Sequence, residues 1–460
     1  MKSRRFSLAI ALVILSIVMV VGVVFAAAVA LDTFDAAGQN LTASNLSPTA
    51  FEAVTDTNVN ILGQERDVEL LWNSGSGISV QVNQGSPASG ALAFSQDNAT
   101  SGQAWIVWDG LDNSATIVPD GLCSSTGCPL GTGVDLTGSG TNDAFHIEIP
   151  YDDLPFAIRL RVFSGSLTAY QQYILNVPGN IGTTGPSHVD FLVPFTSFTA
   201  VGGGALFTNV GAVEMYFDGR PTASIGGDVS IAFLDADNFR DFGDAPNDGI
   251  NWFYGNPSHF PLGIRLGESV DAEPTAQFST FATGDNALEA DDEQGVIRDF
   301  TQQWTPGATV DLFVLMKGCP VPTNCRLNGW IDWDNDGTFD TPRDRVFNDV
   351  SISYLYNGTL WPRSITIPAD APIATGSNTS FYARFRICAA AATCNNPTTA
   401  DVLNGEVEDY YWGFGPTAVS LESFTPAANS TLPVIGFVGF LALAIVSLGA
   451  IIVRREQKRA

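Results

Sequence analysis

Short runs in which apolar and polar residues alternate recur through most of the chain. Examples are Val68-Glu69-Leu70-Leu71-Trp72, Ile78-Ser79-Val80-Gln81-Val82, Phe145-His146-Ile147-Glu148-Ile149 and Ile158-Arg159-Leu160-Arg161-Val162. A period of two predicts half-buried strands, and clusters of Gly, Asn, Asp, Ser or Pro separate the runs. No internal stretch keeps a helical period. The fold class expected is therefore all-β, with a jelly-roll-like β-sandwich over residues 31–236. An acidic, loop-rich lead-in follows over 237–300. Renewed strand patterns then predict a second β-sandwich over 301–413, with a stalk rich in Pro, Ser, Thr and Ala at 414–431.

Both ends depart from this pattern. Lys2, Arg4 and Arg5 precede an apolar run that reaches Ala26-Ala27-Ala28-Val29-Ala30, which reads as a signal peptide over residues 1–30, cut after Ala30. An uncleaved N-terminal anchor is the alternative, because the run is long for a signal. Residues 432–453 carry no charge and are followed by Arg454, Arg455, Lys458 and Arg459. That combination predicts one transmembrane helix with the basic tail, 454–460, in the cytoplasm, and so a single-pass cell-surface protein with its N-terminal part outside. Leu432-Pro433-Val434-Ile435-Gly436 is similar to a cell-wall sorting signal, but Ile435 stands where that signal needs the Thr attacked by the transpeptidase.

Charge sharpens the picture. The net charge of −27 includes the basic signal and tail; between them lie 14 Lys and Arg against 47 Asp and Glu, about −33. Such a body repels nucleic acid and anionic membrane surfaces and attracts cations. The six cysteines fall into three close pairs, Cys123–Cys128, Cys319–Cys325 and Cys388–Cys394. In an exported chain these read as local disulfides, whereas zinc would want two-residue spacings.

Gly405-Glu406-Val407-Glu408-Asp409-Tyr410 resembles the signature of the GEVED domain, a β-sandwich module of bacterial surface and secreted proteins. Asp241-Phe242-Gly243-Asp244-Ala245-Pro246, the acidic stretch around 282–296 and Ala383-Arg384-Phe385-Arg386 fit the same module. The resemblance covers about 241–413 and implies no catalytic activity. The cysteine loops and Gln294 depart from the common pattern. Residues 31–236 are similar in style to jelly-roll modules of exported proteins, some of which bind sugar.

The sharpest local signal is Asp332-Trp333-Asp334-Asn335-Asp336-Gly337-Thr338-Phe339-Asp340. Calcium wants six to eight oxygens, and alternate Asp residues aim several carboxylates inward while Gly lets the loop turn. Asp332, Asp334 and Asp336, the Thr338 carbonyl and Asp340 are the expected ligands. The twelfth position is Arg343 rather than the Glu of an EF-hand, and strands are expected on both sides. The loop thus looks like the strand–loop–strand calcium loops of integrin-type propellers. Its rival is an Asp-rich turn without metal. Asp285, Glu289, Asp291, Asp292 and Glu293 form a second acidic cluster, read either as another ion site or as a solvated loop. Glu406 and Glu408 share one strand face, either to complete a site or as the polar face of an edge strand.

Catalytic patterns are sparse. His146, His188 and His259 lie far apart, and no H-E-x-x-H string, nucleophile elbow or phosphate-cradling loop occurs. Paired carboxylates leave glycoside hydrolysis as the one enzymatic alternative. Trp72, Trp105, Trp108, Trp252 and Tyr254 are either sugar-stacking platforms or core residues. The expectation is a non-enzymatic, membrane-anchored adhesion or structural protein that binds calcium and contacts other surface proteins or glycans. A carbohydrate-binding receptor, or an accessory to polysaccharide breakdown, is the alternative.

Overall fold

A computed structural model describes residues 28–57, 60–84, 89–123, 133–182, 188–220, 226–284, 293–340, 342–373, 379–390 and 394–414. The described chain is all-β, and its described residues up to Phe414 belong to one compact unit with two large apolar cores. The signal segment up to 27, the stalk, the expected transmembrane run and the basic tail lie outside the described residues. Among those that are described, no helix is long and apolar enough to cross a membrane.

The first core lies between a seven-stranded sheet and a pair of smaller ones. The seven-stranded sheet runs, in spatial order, Thr199–Val201, Tyr170–Val177, Phe156–Phe163, Ala212–Asp218, Ser101–Trp108, Glu65–Ser74 and Thr49–Thr55. Opposite it lie a five-stranded sheet, including Ile78–Val82 and Leu92–Gln96, and a four-stranded sheet of Val29–Asp32, Phe233–Asp237, Ala144–Ile149 and Val189–Pro194. Even-numbered residues such as Val68, Leu70, Ile106, Ile158 and Leu160 point inward and are fully buried, as the alternation in sequence requires. Phe94 and Phe217 stack across the core at 5.5 Å. Val29 and Ala30 pair with Ala236 and Asp235, so a cut after Ala30 would remove half of the first strand.

That strand is locked by a buried ion pair. Asp32 accepts from Arg66 Nη1 at 2.9 Å on both oxygens and from Trp108 Nε1 at 2.9 Å, while Arg66 Nε donates to Gln39 Oε1 at 2.6 Å. Trp108 is therefore a core residue with its one donor occupied.

In the second core, the strands Arg345–Ser353, Asn324–Ile331, Thr379–Ala389 and Gly405–Phe414 form an antiparallel sheet. Leu327, Phe381, Phe385 and Trp412 from this sheet pack on Val310, Leu312, Val314 and Ile365 of a three-stranded sheet. Disulfides join Cys319 to Cys325, with Cα atoms 5.7 Å apart, and Cys388 to Cys394, at 6.2 Å. Cys128 lies outside the described residues, and with it the expected Cys123–Cys128 pair.

The chain between the cores runs along the four-stranded sheet. Leu192 N donates to Pro261 O at 2.8 Å, Val270 bridges Val189, and Arg240 binds Asp143 and Asp401 while lying 3.6 Å over the Phe260 ring. On this face, His146 meets three carboxylates: Asp190 at 3.1 Å, Asp237 at 2.9 Å and Asp235 at 3.6 Å. Phe233 and Phe239 close over the ring at 4.7 and 5.4 Å. Burial alone would depress the imidazole, but Asp190 and Asp237 overcome it and hold the pKa well above the usual value. Asp235 is pushed up to about 7 by burial and by its acidic neighbours, despite the imidazolium.

The sign follows from linkage. His146 binds its proton more tightly folded than unfolded, so its contribution is complete below about pH 6.5 and is lost as pH rises through the folded value. Asp235, also raised, costs stability as pH rises from about 4 to about 7. The urea midpoint should therefore fall as pH rises above 6.5, and His146→Gln should flatten that fall. An identical pH slope in the variant would contradict the assignment.

Candidate functional site

The Asp-rich segment joins two paired strands, Asn324–Ile331 and Arg345–Ser353, whose last ladder pair is Trp330 with Arg345. It is thus a strand–loop–strand connection. Asp332 is fully buried at the mouth of the hairpin. Its Oδ1 accepts from Asp336 N at 3.2 Å; its Oδ2 accepts from Gly337 N at 3.0 Å and from the Tyr254 hydroxyl at 2.5 Å. These bonds curl the loop around one carboxylate. Gly337 adopts φ +86°, and a Cβ there would strike the Asn251 carbonyl, so only glycine fits.

The curl brings oxygens of Asp332, Asp334 and Asp336 within 4.8 Å of one another. Asp336 Oδ1 also accepts from Thr338 N at 2.9 Å and Thr338 Oγ1 at 2.8 Å. Asp340 enters from the far side: its N–H donates to Asp344 Oδ2 at 3.1 Å. Asp344 is the residue the sequence pattern missed. It is fully buried, accepts from Trp333 N at 3.1 Å, and is pushed up to about 8 by burial and by the charges of Asp332, Asp334 and Asp340. It stands one place beyond the twelfth position, where Arg343 sits. Arg343 turns outward to Asp370 at 2.9 Å and touches Asp334 at 3.6 Å. A group of this composition offers a hard cation oxygens on several sides of a loop that is already shaped.

Of the second acidic cluster, Asp285, Glu289, Asp291 and Asp292 lie outside the described residues. Glu293 is described and adds to the charge that, after burial and Glu408, raises Tyr410.

The acids of the GEVED string are neither an exposed face nor part of the Asp332 group. Glu406, Glu408 and Asp409 are all buried. Glu406 accepts from Leu266 N. Glu408 Oε1 accepts from Gln294 N at 3.0 Å and Gly295 N at 2.7 Å, and its Oε2 from the Tyr410 hydroxyl at 2.8 Å. Asp409 takes a two-pronged bond from Arg384, both contacts 2.6 Å, and a third from Ala245 N at 2.8 Å. In return, Asp241 Oδ2 accepts from Val407 N at 2.8 Å. One strand therefore staples the 241–246 and 294–296 loops to the sheet. Arg386 bonds His259 Nε2 at 2.8 Å, and burial together with Arg386 keeps that imidazole well below its usual pKa and neutral.

Of the aromatic candidates, Trp108 and Tyr254 are buried and bonded to Asp32 and Asp332. Trp105 is half-buried and lies 5.1 Å from the Tyr216 ring on the outer face of the seven-stranded sheet.

Residues 326–412 match the family model of the GEVED domain, so the chain carries that domain. The stapled loops at 241–246 and 294–296 lie before the matched span. No curated protein matches the chain. Solved structures similar to it include one titled "Structure of PfGH50B", 12% identical with TM-score 0.21, covering 37% of this chain and 22% of that one. Another is a calcium binding mutant of Bacteroides uniformis beta-glucuronidase 2, 9% identical with TM-score 0.20, covering 82% of this chain and 33% of that one. The chain thus corresponds to no more than a third of either protein's length.

The staple can be tested by separating charge from packing. Asp409→Ala leaves the Arg384 guanidinium buried without its partner and should cost about 3–5 kcal/mol in urea unfolding. Replacing Arg384 with Met and Asp409 with Leu together should recover only the part due to the unpaired charge, because the Tyr254 and Pro397 carbonyls and Ala245 N lose their bonds to the pair. A single Asp409→Ala change that costs nothing would show that the pair is not structural.

Proposed function

We propose that the chain is an exported, membrane-anchored, non-enzymatic surface protein whose GEVED module holds a calcium ion in the 332–344 loop. On this reading, its role is adhesive or structural. The observation that carries the proposal is the convergence of Asp332, Asp334 and Asp336 within 4.8 Å, with Asp344 buried behind them. Arg343, 3.6 Å from Asp334, is the one cation paired with that group among the described residues. Carboxylates this close repel strongly, and a divalent ion relieves the repulsion while keeping the loop's shape. The Asp332, Asp334 and Asp336 carboxylates, the Thr338 carbonyl and Asp340 would hold the ion, and Asp344 would orient the loop through the Trp333 and Asp340 amides.

Signal peptide, anchor and acidity together support a location on the outer cell surface. The pairing of Val29 and Ala30 favours processing after Ala28, where Ala26-Ala27-Ala28 supplies the small residues. Calcium would then stiffen the module nearest the membrane, and partners would be other surface proteins or glycans.

Calcium at a hundredfold excess over Kd should stabilise the chain by about 2.7 kcal/mol, read as a higher melting temperature than in chelator. Asp334→Ala, exposed and, among the described residues, paired only with Arg343, should remove this loop's share of the gain without lowering the chelator value by much. An unchanged wild-type melting temperature would remove the claim.

The carbohydrate reading keeps one specific support. Trp105, half-buried, lies on the outer sheet face beside the buried Tyr216, whose ring has the Arg159 guanidinium at 4.1 Å. Glycan-array binding that is lost in Trp105→Ala would favour a sugar receptor; silence across the array would favour the structural role.

A further inference from the structure

Odd-numbered residues of the strand Glu65–Ser74 point away from the first core, so Asp67 belongs on a solvated sheet face. It is instead fully buried. The cover is the segment that follows the strand Ser101–Trp108 and folds back over this end of the sheet. Glu65 pins it by accepting from Asp112 N at 2.5 Å and Asn113 N at 3.0 Å, and Asp109 Oδ2 accepts from Val118 N at 2.6 Å. Gly121 rests directly on the Asp109 carbonyl, where no Cβ has room.

The result is a group of acids with no counterion. Oxygens of Glu65, Asp67 and Asp112 lie within 4.8 Å of one another. Both oxygens of Asp67, and Oδ1 of the equally buried Asp109, have no hydrogen-bond partner. The charges acting on Asp67 are those of Glu65, Asp109 and Asp112, all negative; Arg66, next in the chain, faces the core and is held by Asp32. Three other buried acids are provided for: Asp409 has Arg384, Asp32 has Arg66 and Trp108, Glu408 has two amides and a phenol. Asp67 has nothing, and an unpaired carboxylate in that position is among the costliest groups a fold can bury. With no ion bound, burial and the neighbouring acids push Asp67 up to about 8; burial foremost takes Asp109 to about 7. Protonation, however, still leaves oxygen atoms without partners.

We propose that Glu65, Asp67, Asp109 and Asp112 form a second divalent-cation site, suited to a hard, oxygen-seeking ion of the calcium class, which clamps the 109–122 segment onto the seven-stranded sheet. Four carboxylates, one of them reaching out to solvent at Asp112, give the ion a way in and a charge that overcompensates its own. The site is independent of the 332–344 loop, in a different sheet and around a different core.

The test uses the full chain, stripped with chelator and titrated with calcium chloride, in the wild type and in Asp334→Ala. Asp67→Asn should lower the bound calcium by one equivalent in both backgrounds. In chelator it should melt above its parent, because it removes a carboxyl that must take up a proton to be buried without a partner; in millimolar calcium that order should reverse. Should Asp67→Asn not fold, Asp112→Asn at the exposed rim should weaken the same equivalent about tenfold or more. An Asp67→Asn chain that melts higher than its parent in both conditions, with unchanged stoichiometry, overturns the site. Failure of the loop site would appear separately, as an Asp334→Ala chain that loses no calcium.

Discussion

A carboxylate taken out of water must be given protons, amides or positive charge, and this acidic chain buries many of them. Its architecture is largely the set of answers to that demand. Asp32 is answered by Arg66 and the Trp108 indole, closing the first strand onto the sandwich. Asp409 is answered by the Arg384 fork and Ala245 N, and Glu408 by the amides of Gln294 and Gly295. At the junction of the two cores the answer is an imidazolium, His146 among three aspartates.

These answers differ in what they do for the fold. Amide donors and guanidinium forks fix loops in one place, since several directed bonds must be made at once. The GEVED strand works in this way, holding loops that lie up to 166 residues earlier in the chain. That is why the structural module begins well before the span its family model matches: the strand's acids have their partners at 241–246, 266 and 294–295.

Two groups of acids have too few amides or guanidinium groups around them, and these are the places where we propose ions. The 332–344 loop leaves Asp334, Asp336 and Asp340 exposed, while the buried Asp332 and Asp344 accept from backbone amides. The Glu65 group sits under a folded-back segment on the first sandwich. With an ion in each, as proposed, both sandwiches would gain rigidity from the medium around them, and would lose it where calcium is scarce.

Much of this was legible from residue order. Strict alternation in Ile158-Arg159-Leu160-Arg161-Val162 gave a strand with Ile158 and Leu160 inside, because a pleated backbone permits only that. The D-x-D-x-D-G run gave a turning loop, since the Asp336 and Gly337 amides that curl it lie within five residues of Asp332. Asp344 was not legible, because its contribution depends on how the hairpin closes rather than on spacing within the motif. Nor were the partners of Glu406, Glu408 and Asp409: the sequence showed three acids on a strand but not which amides would meet them. Composition and periodicity thus determined strands, faces and acidity, which follow from local geometry. Tertiary structure alone decided which acids meet amides or guanidinium and which meet only other acids, because that depends on groups up to 166 residues apart being brought within hydrogen-bond reach.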